Sequence, residues 1–76
     1  MSTRDELHIT RCMLLGCTFV YNDYGHPERR NARKYYQCNY TAIAGDFSIY
    51  RTGHGHSEAE AAYDYLRVYN PELLVP

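Results

Sequence analysis

A glycine-rich run that leads into an acidic helix start constrains the fold of this chain most. Residues 53–60 read GHGHSEAE. Ser57 is a typical N-cap residue, and Glu60, three positions later, completes a capping box. The two glycines predict a mobile turn before the helix. Such a turn often binds phosphate, but Glu58 and Glu60 place negative charge where the phosphate would lie, so the run argues against a phosphate site.

A first helix is predicted near the N-terminus. Thr3 followed by Glu6 forms a second capping box, and an imperfect apolar stripe then extends over residues 4–15. Gly16 is suited to end this helix in the left-handed conformation. A strand through residues 7–10 is the competing interpretation, because these residue types are tolerated in strands.

Three strands and a second helix follow. Residues 17–21, 34–42 and 47–52 are rich in branched and aromatic side chains and predict strands, whereas the long loop 22–31 has turn chemistry. A stripe with helical spacing over residues 58–69 predicts the last helix. We therefore predict one α+β domain spanning residues 1–76, in the order α-β-β-β-α, with both helices on one face of an antiparallel three-stranded sheet.

The alternation within the strands predicts which side chains face the helices. The inward set would be Phe19, Tyr21, Tyr36, Cys38, Tyr40, Phe47 and Ile49. The open face would show Val20, Tyr35, Gln37, Asn39 and Tyr50. A register slip of one residue would reverse the two sets. Of nine tyrosines, we expect four to build the core: Tyr36, Tyr40, Tyr65 and Tyr69.

Composition excludes several classes of function. The formal net charge is −1, which gives no broad attraction for nucleic acid or anionic membrane. No segment approaches the roughly 18 apolar residues of a membrane span. Residues 1–6 are charged and unlike a secretory signal. We therefore expect a cytoplasmic protein, in the host cytoplasm if it is encoded by a phage, with no membrane partner.

The three cysteines predict reduced, buried thiols rather than a metal site. Cys12, Cys17 and Cys38 cannot all pair, and a free cysteine packs as a small hydrophobe. The alternative is zinc, bound by cysteine sulfurs with His54 and His56. Cysteine and histidine pairs can also be drawn as catalytic dyads, but no local signature supports one. We expect no metal, no cofactor and no enzymatic activity.

The run at 53–57, followed by Ala61 and Ala62, resembles the corresponding segment of a double-stranded-RNA-binding domain, as does the order of elements. The resemblance implies the α-β-β-β-α fold. That family carries phosphate-binding lysines at the start of its last helix, whereas this chain has Glu58 and Glu60. The ending also resembles short proteins of phages and mobile elements, which implies an accessory or inhibitor protein that acts on a host protein or complex.

Two functional hypotheses follow. The first is a non-catalytic protein-binding module, because tyrosine and arginine are favoured interface anchors. Its contact residues would be Tyr24, Arg29, Arg30, Tyr35, Tyr50, Glu58, Glu60 and Asp64. The acidic members of this set would alternatively imitate nucleic acid and cover a basic groove. The molecule would be a monomer, or a homodimer joined through the apolar tail at residues 73–75.

The second hypothesis is a nucleic-acid-binding domain for single-stranded or structured RNA or DNA. Basic and aromatic residues combine phosphate contacts with stacking rings over residues 29–36. The binding residues would be Arg29, Arg30, Arg33, Lys34 and Tyr35. The net charge of −1 favours protein over nucleic acid as the partner.

Overall fold

The predicted order of one helix, three strands and one helix is confirmed by a computed structural model. The structure describes residues 2–23 and 34–76. Its elements are α1 Thr3–Leu15, β1 Thr18–Asp23, β2 Lys34–Ala44, β3 Phe47–Gly55, α2 Glu58–Tyr69 and a short 3₁₀ helix, Pro71–Leu73. The chain is a small α+β domain. None of the helices in the described ranges is both long and apolar enough to cross a membrane.

Helix α1 begins one residue earlier than predicted. Its N-cap is Ser2, whose Oγ accepts a hydrogen bond from the Asp5 N–H at 3.2 Å. The predicted capping box of Thr3 and Glu6 is therefore wrong, because Thr3 is already helical. The helix ends as predicted at Gly16, which has a φ of 98° and donates its N–H to carbonyls of the last turn. The competing strand at residues 7–10 is excluded, since these residues lie inside α1.

The sheet has the order β1-β2-β3, with antiparallel pairing throughout. In the central strand, Cys38 lies opposite Phe19 on one side and Gly53 on the other. Strands β2 and β3 are joined by a two-residue turn that starts at Gly45, with a φ of 63°. A positive φ at the first central residue suits the right-handed twist of a tight hairpin. Both strands are longer than predicted: β2 continues by two residues to this turn, and β3 continues by three residues at its far end, to Gly55.

The predicted mobile turn at residues 53–55 is wrong. These residues are the end of β3, and α2 packs directly on them. A Cβ atom on Gly53 would lie 2.5 Å from the Tyr65 nitrogen and 2.6 Å from the Ala61 oxygen. A Cβ atom on Gly55 would similarly lie 2.5 Å from the Ala61 nitrogen. The glycines therefore permit close packing of helix on strand rather than freedom of a loop.

The start of α2 is built as predicted, with one difference. The Oγ of Ser57 accepts a hydrogen bond from the Glu60 N–H at 3.1 Å. The Glu60 carboxylate then accepts from the N–H of His56 at 2.8 Å, one residue before the cap instead of at the cap. Two backbone donors at the helix entrance are thereby satisfied.

The core lies between the sheet and the helices. Its buried members are Cys12, Cys17, Cys38, Ala61, Ala62, Tyr65 and Leu66. Of the tyrosines predicted for the core, Tyr65 is buried and Tyr36 and Tyr40 are half-buried against it, whereas Tyr69 lies at the rim with 36% of its surface exposed. The predicted core is thus confirmed at three of four tyrosines.

The C-terminal tail folds back onto the body. Leu73 and Leu74 pack against the core, and Arg11 donates a hydrogen bond to the Leu73 carbonyl at 2.6 Å. The N–H of Val75 donates to Nε2 of His8 at 2.9 Å. His8 is 1% exposed, and its pKa is lowered by burial and by the nearby charge of Arg4. The tail therefore covers a neutral, buried histidine of α1.

Candidate functional site

The β2–β3 hairpin extends beyond the third strand. Strand β1 pairs only with residues 34–39 of β2, whereas residues 40–44 pair only with residues 47–51 of β3. We call the two-stranded part, residues 40–51, the hairpin arm. The described residues span 41 × 38 × 16 Å and so form a thin, flat body.

The hairpin arm carries large apolar side chains that are open to solvent. Ile43 is 80% exposed, Phe47 is 76% exposed and Tyr50 is 62% exposed. By strand parity Ile43 and Tyr50 lie on the open face of the sheet, while Phe47 lies on the helix side. Ile49 is also on the helix side and is 40% exposed. Large exposed apolar patches on small domains mark interaction surfaces.

The faces of the sheet agree with the predicted alternation, although not with the expected burial at the arm. Phe47 and Ile49 have the predicted orientation, but they do not join the core because the helices do not cover this end of the sheet. The register places all five predicted open-face residues on the side away from Cys38. The predicted alternation of inward and outward side chains in the three strands is therefore confirmed.

Polar side chains beside the hairpin arm form an ordered row on the open face. Oδ1 of Asn39 accepts hydrogen bonds from the hydroxyls of Thr52 and Tyr50, the latter at 3.3 Å. Two residues further along the strands, on the same face, the side chains of Gln37 and His54 meet at 3.3 Å. The contact with Asn39 therefore ties the Tyr50 hydroxyl to the neighbouring strand.

The predicted basic and aromatic contact residues are only partly described. Tyr35 lies on the open face of β2, where its ring centroid is 5.7 Å from that of His54. Lys34 begins β2 and pairs through its backbone with Asp23. The remaining members of this predicted set lie outside the described residues: Tyr24, Arg29, Arg30 and Arg33.

The predicted acidic contact residues of α2 have structural partners. The Asp64 carboxylate accepts from the His54 N–H at 3.0 Å and from Arg67 at 2.8 Å. Burial alone would raise the pKa of Asp64, but the hydrogen bonds from Arg67 and His54 outweigh it and lower that pKa. Glu60 is occupied at the helix cap, whereas Glu58 is exposed. The Asp64 carboxylate thus connects β3 to α2, and the Glu60 carboxylate satisfies a backbone donor just before α2.

Cationic side chains are absent from the described open-face positions of the three strands. Arg51 lies on the opposite side, with its guanidinium 5.9 Å from the Tyr40 ring and 5.3 Å from the Tyr69 ring. The arm and its neighbouring face therefore present apolar, aromatic and neutral polar groups. The described part of this surface thus lacks the cations on which binding to a polyanion depends.

The three cysteines converge in the core, as expected for small buried thiols. The Sγ atoms of Cys12, Cys17 and Cys38 all lie within 4.8 Å of one another. His54 points to the open face of the sheet, and no histidine of the described part joins the cluster. The alternative zinc set of cysteines with His54 and His56 is therefore not assembled.

Comparison of the chain with protein-family models, with curated proteins and with solved structures found no match.

The apolar residues of the hairpin arm were missed by the sequence reasoning, which counted Phe47 and Ile49 as core and left Ile43 unassigned. A signal was present in the element lengths. Twelve residues of α2 span roughly 18 Å at 1.5 Å each. Eleven residues of β2 span roughly 36 Å at 3.3 Å each, so this helix cannot cover the whole strand.

Proposed function

We propose that this chain is a small non-catalytic protein-binding module that contacts its partner through the hairpin arm and the open face beside it. The observation that carries the proposal is the exposure of Ile43, Phe47 and Tyr50 toward the closed end of a two-stranded ribbon, beyond the last residue of β2 that pairs with β1. Because the end of the sequence resembles short proteins of phages and mobile elements, we propose further that the module is a phage-type accessory or inhibitor protein that acts on a host protein or complex.

The exposed side chains offer enough apolar surface for a specific interface. Burial of one such side chain contributes about 1.5–3 kcal/mol, so Ile43 and Phe47 together would contribute about 3–6 kcal/mol before the costs of association. Tyr50 adds an aromatic anchor whose hydroxyl is already bonded to Asn39. An ordered anchor loses less conformational entropy when it binds. An isolated two-stranded ribbon is only marginally stable in water, so contact with a partner would also stabilise the arm.

A protein partner is favoured over nucleic acid by the charge of this surface. Binding to nucleic acid depends on cations that displace counterions from phosphates. The described part of the open face has none, and the acidic residues of α2 belong to a chain of net charge −1. Nucleic-acid binding through residues 29–36 stays a prediction. Arg29, Arg30 and Arg33 lie outside the described residues, and only the backbone of Lys34 is described.

The test is affinity purification of a binding partner by the tagged chain, with matched variants. The arm variant combines Ile43→Ser with Phe47→Ser. The control variant is Leu14→Ser, which changes a side chain on α1 that is 82% exposed, as much as Ile43 at 80%. Each protein is incubated with cytosolic lysate, with and without nuclease, and the retained proteins are identified by mass spectrometry.

We expect the wild type and Leu14→Ser to retain the same discrete protein after nuclease treatment, and the arm variant to lose it. Far-ultraviolet circular dichroism should show that all three proteins are folded. Equal retention by the arm variant would exclude the arm as the contact surface. Retention that depends on nucleic acid, declines with salt and is lost in Arg29→Ser/Arg30→Ser would support the nucleic-acid hypothesis instead.

A further inference from the structure

All three cysteines of the chain meet at one point of the core, although they come from three different parts of the fold. Cys12 lies in the last turns of α1, Cys17 follows the Gly16 cap, and Cys38 lies in the central strand. The N–H of Cys17 donates to the Cys12 carbonyl at 3.0 Å, so the helix end holds these two residues together. Cys12 and Cys38 thus lie in regular elements, and Cys17 lies in the short connection between α1 and β1.

The spacing of the three sulfurs is close to that of a metal site. A metal ion 2.3 Å from each of three thiolates requires sulfur separations of roughly 4 Å. The Sγ atoms already lie within 4.8 Å of one another. The three sulfurs would have to approach one another by less than about 1 Å, a shift that side-chain torsions supply.

The donor set favours a soft ion of low coordination number. Thiolates select copper(I), zinc and iron–sulfur clusters. Closed zinc sites use four ligands, and open zinc sites add a water. In the described part of the chain no histidine or carboxylate joins the three sulfurs. Cys12 and Cys38 have no exposed surface and Cys17 is 7% exposed, so bulk solvent has little access to the three sulfurs.

We propose that Cys12, Cys17 and Cys38 bind one copper(I) ion through three thiolates. Copper(I) is stable with three sulfur ligands, whereas zinc would lack its fourth. This site is independent of the hairpin arm, and its occupancy does not depend on the binding function proposed above.

Each thiol releases its proton to solvent when it becomes a ligand, and no electron is transferred. In the metal-free protein the Cys12 thiol donates to the Ala62 carbonyl at 3.6 Å, and this bond is given up on binding. Copper affinity is therefore expected to rise with pH, as for other thiolate sites.

The experiment uses the full, reduced and metal-free chain under anaerobic conditions. Copper(I) is titrated against the protein in the presence of a competing copper(I) chelator, and zinc is titrated in a separate series. Native mass spectrometry gives the stoichiometry, and X-ray absorption at the copper edge gives the number and type of ligands. We expect one copper(I) per chain, three sulfur ligands, and tighter binding of copper(I) than of zinc.

The matched variant is Cys17→Ser, at the least buried of the three positions. It should weaken copper binding by more than about 10–100-fold, since loss of a ligand costs more than the loss of an outer-shell contact does. If the variant fails to fold, the ligand count in the wild type still decides the proposal. Fewer than three sulfur ligands, no stoichiometric copper, or preferential binding of zinc with additional nitrogen or oxygen ligands would each overturn it.

Discussion

Replacement of Gly53 by alanine should destabilise the protein strongly, because this position is a contact between strand and helix. The added Cβ would lie 2.5 Å from the Tyr65 nitrogen and 2.6 Å from the Ala61 oxygen. Favourable contacts of carbon atoms lie at about 3.5–4.0 Å, so the shortfall is about 1 Å. Both neighbours are backbone atoms of α2 and cannot rotate away. The helix itself must move from β3, which loosens the packing of Tyr65 and Leu66.

The expected cost is near the upper end for overpacking, about 3 kcal/mol. A domain of 76 residues has a free energy of unfolding of about 4–11 kcal/mol at 0.05–0.15 kcal/mol per residue. With a urea dependence of about 1 kcal/mol per M, the midpoint of unfolding should fall by about 3 M. The assay is urea denaturation of wild type and Gly53→Ala, monitored by circular dichroism and by tyrosine fluorescence.

A matched control is Gly45→Ala in the hairpin turn. Within residues 2–23 and 34–76, and apart from the adjacent residues, no atom lies within 4 Å of the added Cβ there, but the φ of 63° is strained for alanine. The cost should be about 1–2 kcal/mol. If residues 53–55 were a mobile turn, Gly53→Ala would instead stabilise the protein by about 0.4–1 kcal/mol through the unfolded chain. An unchanged or raised midpoint for Gly53→Ala would refute the close packing of α2 on β3.

Three further predictions concern the helix cap, the buried histidine and the tail. Ser57→Ala should lower the free energy of unfolding by about 1 kcal/mol in urea denaturation, since the Glu60 N–H loses its acceptor, and an unchanged midpoint would contradict the cap. The pKa of His8 is lower in the folded protein than in the unfolded chain, where it is about 6.5. The free energy of unfolding should therefore be highest above about pH 6.5 and should decline as the pH falls toward the pKa of the folded state, because the unfolded chain then binds a proton that the folded protein does not. Urea midpoints at pH 7.5 and pH 5 should show this decline in the wild type and less of it in His8→Gln; equal declines would assign it to other groups. Truncation after Asn70 should lower the free energy of unfolding by about 2 kcal/mol, because Leu73 and Leu74 are half-buried. Light scattering should give the mass of a monomer both before and after the truncation. A dimer that the truncation dissociates would instead show that the tail is a self-association surface.

The order of the elements was predictable because local patterns and the final fold agree. Ser57 and Glu60 identify the start of α2, and Gly16 identifies the end of α1. Alternation about Cys38 identifies the inner face of β2. Each of these signals acts within a few residues, and the surrounding structure does not override it.

The main error of the prediction arose where a residue type is required by a contact with a part of the chain that is distant in sequence. Gly53 and Gly55 have the composition of a turn, but they are required by α2, which approaches β3 too closely for a side chain. Thr3 and Ser2 are both accepted N-cap residues, and the structure places the cap at Ser2, within the one- to two-residue uncertainty of helix boundaries.

The candidate surface was predicted only in part, for a related reason. Tyr50 was identified through its parity and residue type, whereas Ile43 and Phe47 have the composition of core residues. Their exposure depends on where the helices stop along the sheet, which is a property of the assembled layers. The convergence of the three thiols has the same origin, since the two partners of Cys38 lie 21 or more positions earlier in the chain.

The most direct test of the proposed function is site-specific photo-crosslinking. A photoreactive amino acid is placed at position 43 in the hairpin arm or, as the control, at position 14 on α1, both of which are highly exposed. After irradiation in nuclease-treated lysate, we expect position 43 to give one covalent adduct of defined mass with a protein, and position 14 to give none. Adducts at both positions alike, or at neither, would contradict binding through the arm.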